Sequence, residues 1–442
     1  MDSFPKILFK NFLKRSSLCR LKFSCTFDFM HPGKLSIKNF TYHLPEEKIA
    51  LFPSAQRDES KLLIFRQHLI QQNIFKNIPD FIQGGSRLFF NNTSVVPARL
   101  HFEIPGGKEI EIFCLGPLRQ FENHMELAFH QKNKVKWKCL IGGAKKWKHE
   151  PLKKTIFFEG YPISLTAEKI EKKEDHVVIQ FSWENDQYSF DEMLKIFGEI
   201  PLPPYIKRAL SKSDEERYQT TYAAIKGSVA APTAGLHFTQ NVFDRLTIKN
   251  IEKSFLTLHV GAGTFLPVKT ETMQDHDMHS EVFEVKIAVL DTLMQLEGKV
   301  IAVGTTTLRV LESLYWMGLK VKANPSISVS DLATGQWEPY EKQGEEMNTN
   351  ASLNALKNWM QANKMDTLYG STKIIIAPGY SFRVVNALIT NFHQPGSTLL
   401  LLVAAFIGEK WRMVYDYALK NDFRFLSYGD SCLLYSNTYK DE

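Results

Sequence analysis

A chain of 442 residues is too long for one ordinary core and predicts two domains, one inserted in the other. Its 44% hydrophobic and 23% charged residues exclude a disordered or fibrous chain, and a net charge of +6 suits a polyanionic partner without demanding one. Five scattered cysteines with no Cys-x-x-Cys favour reduced thiols over disulfides or zinc, and the most apolar run, 399–407, falls short of the ~20 residues of a membrane span, so no membrane partner is expected.

Residues 1–29 form a basic extension, with Lys6, Lys10, Lys14, Arg15, Arg20 and Lys22 set against Asp2 and Asp28. A transit peptide has this composition, but the globular pattern starts directly afterwards, and a start codon placed too early, with Met30 the true first residue, is the preferred reading. Pro45 opens a short helix, and KLLIF at 61–65 and RLFFN at 87–91 read as buried strands. From 94 to 188 the texture is all β, with strand patterns at 109–115, 124–130, 134–141, 155–158, 163–167 and 177–183 separated by Gly, Asn and Lys-rich turns. Strict alternation in that block places Lys134, Lys136 and Lys138 on one strand face and Val135, Trp137 and Cys139 on the other. From charge alone that lysine face is a solvated outer surface; an RNA partner would turn it into a phosphate-contacting one.

The helical period returns after Ser189. Ser189-Phe-Asp-Glu and Ser213-Asp-Glu-Glu have capping-box spacing, and a stiff PLPPYIKR segment between them carries Tyr205, Lys207 and Arg208. Residues 253–318 read strand, loop, strand, helix, strand, helix; a helix follows near 350–364, a buried strand at 373–376, and an apolar helix capped by Ser397. The fold class is α/β: a mixed-sheet main domain from 30–93 and 189–442, interrupted by a small barrel-like all-β insert at 94–188.

Two glycine turns in 227–269 carry the chemistry. APTAGLHF holds Thr233, Gly235 and His237, and HVGAGTF holds His259, Gly261, Gly263 and Thr264. Such turns free backbone N–H groups for an anionic or carbonyl ligand and let it approach closely. Thr305, Thr306 and Arg309, at a helix start beyond a strand, could cap the helix or hold a carboxylate. His393 precedes the Ser397 helix and is as often structural as catalytic in such a place. DHDMHSE at 275–281 offers His276, His279 and Glu281 as metal ligands, but at the wrong spacing for a helical His pair; polar residues at a rim fit better.

Longer stretches carry a resemblance. LPEEKIALFPSAQRDESKLLIF, LFFNNTSVVPARL, GEIPLPPYIKR, GSVAAPTAGLHFT, TLHVGAGTFLPVK, HDMHSE, AVGTTTLRVLES and PGYSFRVVNALITNFHQPGSTLLLLVAAF occur in order through most of the chain after Lys38. The sequence resembles the S-adenosylmethionine:tRNA ribosyltransferase-isomerases of queuosine synthesis. It departs from the commoner pattern in the insert's interior, in 319–370 and at Gln394.

The resemblance implies a cytoplasmic, monomeric transferase without a metal. S-adenosylmethionine is the expected ribosyl donor, tRNA bearing 7-aminomethyl-7-deazaguanine at the wobble position the acceptor, and epoxyqueuosine, adenine and methionine the products. His237 and His259 are the first candidates for the base and acid, with His393, Asp275 and Glu281 behind them. Thr233, Gly235, Gly261, Gly263, Thr264, Thr305, Thr306 and Arg309 would bind substrate, and Arg99, Lys134, Lys136, Lys138, Lys207 and Arg208 the tRNA. A tRNA-binding relative without turnover is the alternative.

Overall fold

The runs KLLIF, RLFF, VIAV and ALIT bury almost every side chain, as strands covered on both faces must. They belong to a ten-stranded mixed sheet, ordered Ala333–Thr334, Thr367–Thr372, Glu281–Lys286, Glu252–His259, Arg87–Asn91, Val300–Val303, Ala387–Asn391, Ser431–Tyr435, Lys61–Arg66, Leu69–Ile74. The structure is a computed structural model that describes residues 31–437 and 439, apart from 119–124, 149, 262–267, 269, 297 and 342–346. The basic extension, Gly263 and Thr264 therefore lie outside the described residues.

The four strands from Glu252–His259 to Ala387–Asn391 are parallel. Arg87–Asn91 comes first in the chain, and the strands that follow it pair on opposite sides, Glu252–His259 on one and Val300–Val303 on the other. Such a switch of direction opens a crevice beyond the strands' carboxyl ends. Helix Thr305–Ala323 starts there and is buried along most of its length. Gly318 allows it to meet helix Thr349–Ala362 closely, since a Cβ at 318 would stand 2.2 Å from the Ser352 carbonyl oxygen. Helix Thr398–Ile407 begins at the same edge, with Ser397 Oγ accepting from Leu400 N at 3.2 Å.

The second sheet is antiparallel throughout, ordered Gly198–Glu199, Arg99–Ile104, Lys108–Pro117, Lys134–Gly142, Val177–Ser182, Tyr161–Lys172, Leu152–Phe158. It curls until Arg99–Ile104 approaches Leu152–Phe158, but no ladder joins those two among the described residues, so the barrel is open. Its core includes Phe190, Met193, Leu194 and Phe197. Helix Phe190–Phe197 thus packs against this second sheet, whose core extends past residue 188. The seam to the main sheet is a parallel pair, Thr93–Val95 with Ile225–Ser228.

Several local expectations change. Residues 124–130 hold a helix, Met125–Phe129, because Ala128 and Phe129 bury on one helical face while Glu126 and Leu127 stay exposed. The Ser189 capping box forms in full, but Ser213 makes no cap bond, and Asp214 instead receives Arg208 at 2.7 Å through both nitrogens. The buried run after Lys373 is irregular; the strand is the preceding Thr367–Thr372. Its backbone is tied elsewhere, with the Ile375 N–H donating to the Gln336 carbonyl and the Ala377 N–H to Tyr340 Oη. Glu312, fully buried, accepts from the N–H groups of Arg383, Val384 and Val385 and from Tyr380 Oη, fixing the turn before Ala387–Asn391.

Candidate functional site

A cleft of about 710 Å³ opens at the carboxyl ends of the parallel strands. Ala231 to Ala234 form one wall, Thr390 to Gln394 another, and Gly304, Thr305 and Thr306 the floor. Gly304 has φ +95°, a conformation that favours glycine, and sets the helix start against the strand end. Among the described residues no side chain caps this helix; its first internal bond is Leu308 N–H to the Gly304 carbonyl. The N–H groups of its first turn thus keep their donors for a ligand, at the positive end of the helix dipole. Two helix starts, Thr305 and Ser397, line the same cleft. A floor of this kind is suited to an anionic group.

His393 is the imidazole on that wall among the described residues. Its Nε2 lies 2.9 Å from Thr390 Oγ1, and Tyr42 Oη donates to its carbonyl. Loss of solvent holds its pKa well below the usual imidazole value, so the ring is neutral at pH 7. Tyr205 also reaches the wall, its Oη 2.6 Å from Ser427 Oγ.

His237 stands behind this cleft. Its Nδ1 lies 2.8 Å from Ser60 Oγ, and its Nε2 lies 3.3 Å from Asn391 Nδ2. Asn391 Nδ2 also donates to the Asp430 carbonyl, which fixes the amide, so Nε2 accepts and Nδ1 carries the proton. Asn391 Oδ1 accepts from Thr233 Oγ1 at 2.9 Å, and both of these residues line the cleft. Burial lowers the His237 pKa to about 4. Gly235 does not make room for a ligand as the sequence suggests: a Cβ there would meet Tyr222 Oη at 1.9 Å.

His259 faces a different space, a cleft of about 980 Å³ between the insert and the main sheet. The ring is 7% exposed, with Nδ1 3.5 Å from Thr93 Oγ1 and Nε2 3.7 Å from Glu284 Oε1. Val260, the next residue, lines the first cleft. The strand end therefore separates the two spaces. Gly261 has open space where a Cβ would stand.

Other predicted residues lie apart from both clefts. Asp275 is exposed and accepts from Thr272 Oγ1 at 2.6 Å. Glu281 and Arg309 form a buried ion pair, and Arg309 Nε donates to the Ile374 carbonyl at 3.1 Å, so this guanidinium is absorbed by the fold. Arg208 is likewise held by Asp214 and lies 4.2 Å over the Phe52 ring, and Arg99 sits 3.6 Å from Glu111. Lys207 is exposed beside Glu46. Lys134 and Lys136 are exposed and Lys138 half-buried, with the alternation as expected. Among the described residues no three His, Cys, Asp or Glu side chains gather as a ligand set, which leaves His276 and His279 without the metal-site arrangement considered for them.

Sequence reasoning missed Asn391, Glu284, Tyr369 and Glu126. Asn391 carried a signal, since it ends a buried strand two residues before His393. The other three come together only through strand pairing and the insert's packing, with Glu284 opposite Tyr369 in the antiparallel ladder.

The queuosine biosynthesis protein family matches the chain over residues 37–434. The S-adenosylmethionine:tRNA ribosyltransferase-isomerase of Halothermothrix orenii is 37% identical over 407 residues, covering 90% of this chain and 100% of its own. That of Rickettsia bellii is also 37% identical over 407 residues, with coverage of 91% and 99%. A solved S-adenosylmethionine tRNA ribosyltransferase from Thermotoga maritima is 26% identical, covers 89% of this chain and 99% of its own, and has a TM-score of 0.41. The chain belongs to the queuosine biosynthesis protein family, that of the S-adenosylmethionine:tRNA ribosyltransferase-isomerases.

Proposed function

We propose that the chain moves the ribosyl group of S-adenosylmethionine onto 7-aminomethyl-7-deazaguanine at the tRNA wobble position, isomerising it to epoxyqueuosine and releasing adenine and methionine. One observation carries this reading beyond family membership: an uncapped helix start, two further threonines and an asparagine converge on a cleft of about 710 Å³. The N–H groups of Thr305 and Thr306 would take the donor's carboxylate, and Thr233 and Asn391 would meet its hydroxyls or base edge.

The donor supplies a sulfonium that acidifies the neighbouring ribose carbon and leaves as a thioether. The chain's own residues then have defined tasks. His393, neutral and on the cleft wall, is placed to hydrogen-bond the departing adenine. His259, across the strand end, is the base that takes the acceptor's proton. His237 is a positioning residue acting through Asn391, since both its nitrogens are engaged inside the protein. A wobble base that has left its stack can enter between insert and main sheet, at a cost lower in a loop than in a duplex. Lys134, Lys136 and Lys138 would meet phosphates on the insert's outer face.

Incubation with S-adenosylmethionine and tRNA carrying the aminomethyl base should release adenine and yield the epoxide-bearing nucleoside. Tight, salt-sensitive tRNA binding with no adenine would instead identify a relative that has lost turnover.

A further inference from the structure

The second cleft contains an arrangement that its own residues leave incomplete. Thr93 gives its hydroxyl hydrogen to the Ile225 carbonyl at 3.4 Å, so toward His259 its oxygen can only accept. Nδ1 of His259 therefore carries the ring proton, and Nε2 presents a lone pair. That nitrogen has no hydrogen-bond partner among the described residues, although the residue is 7% exposed. Glu284 Oε1 stands 3.7 Å from it. Two acceptors thus face each other across the gap that one N–H-bearing group would fill. Gly227 holds this geometry, because any Cβ there would come within 2.4 Å of Nδ1.

The charges around the gap agree. Lys226 pairs with Asp191, and His130 Nδ1 lies 2.8 Å from the Glu126 carbonyl oxygen. Glu284 and Glu126 have no cationic side chain paired to them, His259 apart, among the described residues. Tyr369 keeps its phenol proton, its pKa raised first by burial and then by the Glu284 and Glu126 carboxylates. The wall is anionic, and a cation is the group that it lacks.

We propose that this cleft is an ammonium site that takes a primary alkylammonium on a planar base, with Glu284 and Glu126 supplying the charge and His259 Nε2 the hydrogen-bond acceptor. Identifying that ammonium as the aminomethyl group of the tRNA base rests on the function proposed above. One N–H proton passes to Nε2, the electrons of that bond become the amine's lone pair, and the imidazolium remains beside Glu284. The neutral amine is then one residue along the strand from the donor cleft, where Val260 forms the wall.

The test uses the full chain and two probes at neutral pH, the free base 7-aminomethyl-7-deazaguanine and its neutral 7-hydroxymethyl counterpart. Calorimetry should show the amine bound about tenfold more tightly, with Glu284→Gln and Glu126→Gln each removing most of that preference and leaving S-adenosylmethionine binding unchanged. Equal binding of both bases, no binding of the amine up to millimolar concentration, or an unchanged preference in both variants overturns the proposal. Adenine release separates it from the function itself. Amine preference without adenine release by the wild-type chain refutes the function and leaves the site. Adenine release that is as fast in Glu284→Gln as in wild type removes the site and leaves the function.

Discussion

Acidification should act on this protein through His237, and the size of the effect follows from its surroundings. The residue is 5% exposed, its ring lies tilted 5.0 Å from that of Phe75, and both nitrogens are occupied by Ser60 and Asn391. Burial lowers its pKa to about 4, against about 6.5 for an unfolded chain. Below about pH 6.5 the unfolded chain binds a proton that the folded one refuses until pH 4, so stability falls as pH drops through that window. At 1.36 kcal/mol per unit, the loss from this one group is about 3 kcal/mol. In His237→Gln the titration is absent. The stability gap between wild type and variant should therefore be widest at pH 7 and narrow by about 3 kcal/mol at pH 4. Urea unfolding at several pH values measures that gap, and the ring's carbon-proton resonance gives the midpoint directly. A midpoint near 6.5, or a gap independent of pH, would refute the neutral, structural assignment. At pH 7 the variant should weaken donor binding more than it slows a saturated reaction, because what it disturbs is Asn391 and Thr233 at the cleft wall.

The double variant Thr305→Val, Thr306→Val should raise the dissociation constant for S-adenosylmethionine roughly thirtyfold, through two hydroxyls worth about 1 kcal/mol each, and leave the melting temperature within a few degrees. Replacing Lys134, Lys136 and Lys138 by glutamate should weaken tRNA binding and flatten its log–log salt dependence by about 0.7–0.9 per lost phosphate contact; an unchanged slope returns that face to plain solvent. Glu312→Ala strands three backbone N–H groups and the Tyr380 hydroxyl in the core, and should cost about 3 kcal/mol or more, read as a lower unfolding midpoint.

The parts of the fold visible in the sequence are those where a single element reports its own environment. Thr239 and Ser397 cap helices because their hydroxyls accept from the N–H three residues on, and VIAV reads as a buried strand because it has no polar face. The errors lie where tertiary contacts override local chemistry. Ser213 has capping-box neighbours, yet Arg208 takes Asp214 first, and a bidentate charged pair outweighs one hydroxyl cap. The candidate site divides in the same way. Thr305 and Thr306 were legible, since a helix start beyond a buried strand is a sequence pattern. The separation of His237 from His259 was not: similar turns carry both, and only the pairing of Thr93–Val95 with Ile225–Ser228 places one behind the first cleft and the other inside the second.

That pairing is also where the two clefts can be uncoupled. Gly227 lies in the seam with φ +149°, and a methyl group there would stand 2.4 Å from His259 Nδ1 and 2.9 Å from Met125 Cγ. Gly227→Ala must therefore push the imidazole away from Glu284 or move the insert helix at Met125, and the strained backbone adds a cost on the order of 1–3 kcal/mol. Neither change reaches the Thr305 helix start, which lines the other cleft. The variant should bind S-adenosylmethionine like wild type while adenine release falls by about 10²-fold or more, the size expected for a misplaced base. The defect should persist at saturating tRNA, because the acceptor's proton has no receiver even when the base is bound. A full rate at saturation would show that His259 tolerates displacement and has no part in the chemistry. Equal loss of donor binding would show that the two clefts behave as one, and the division of work between them would fail.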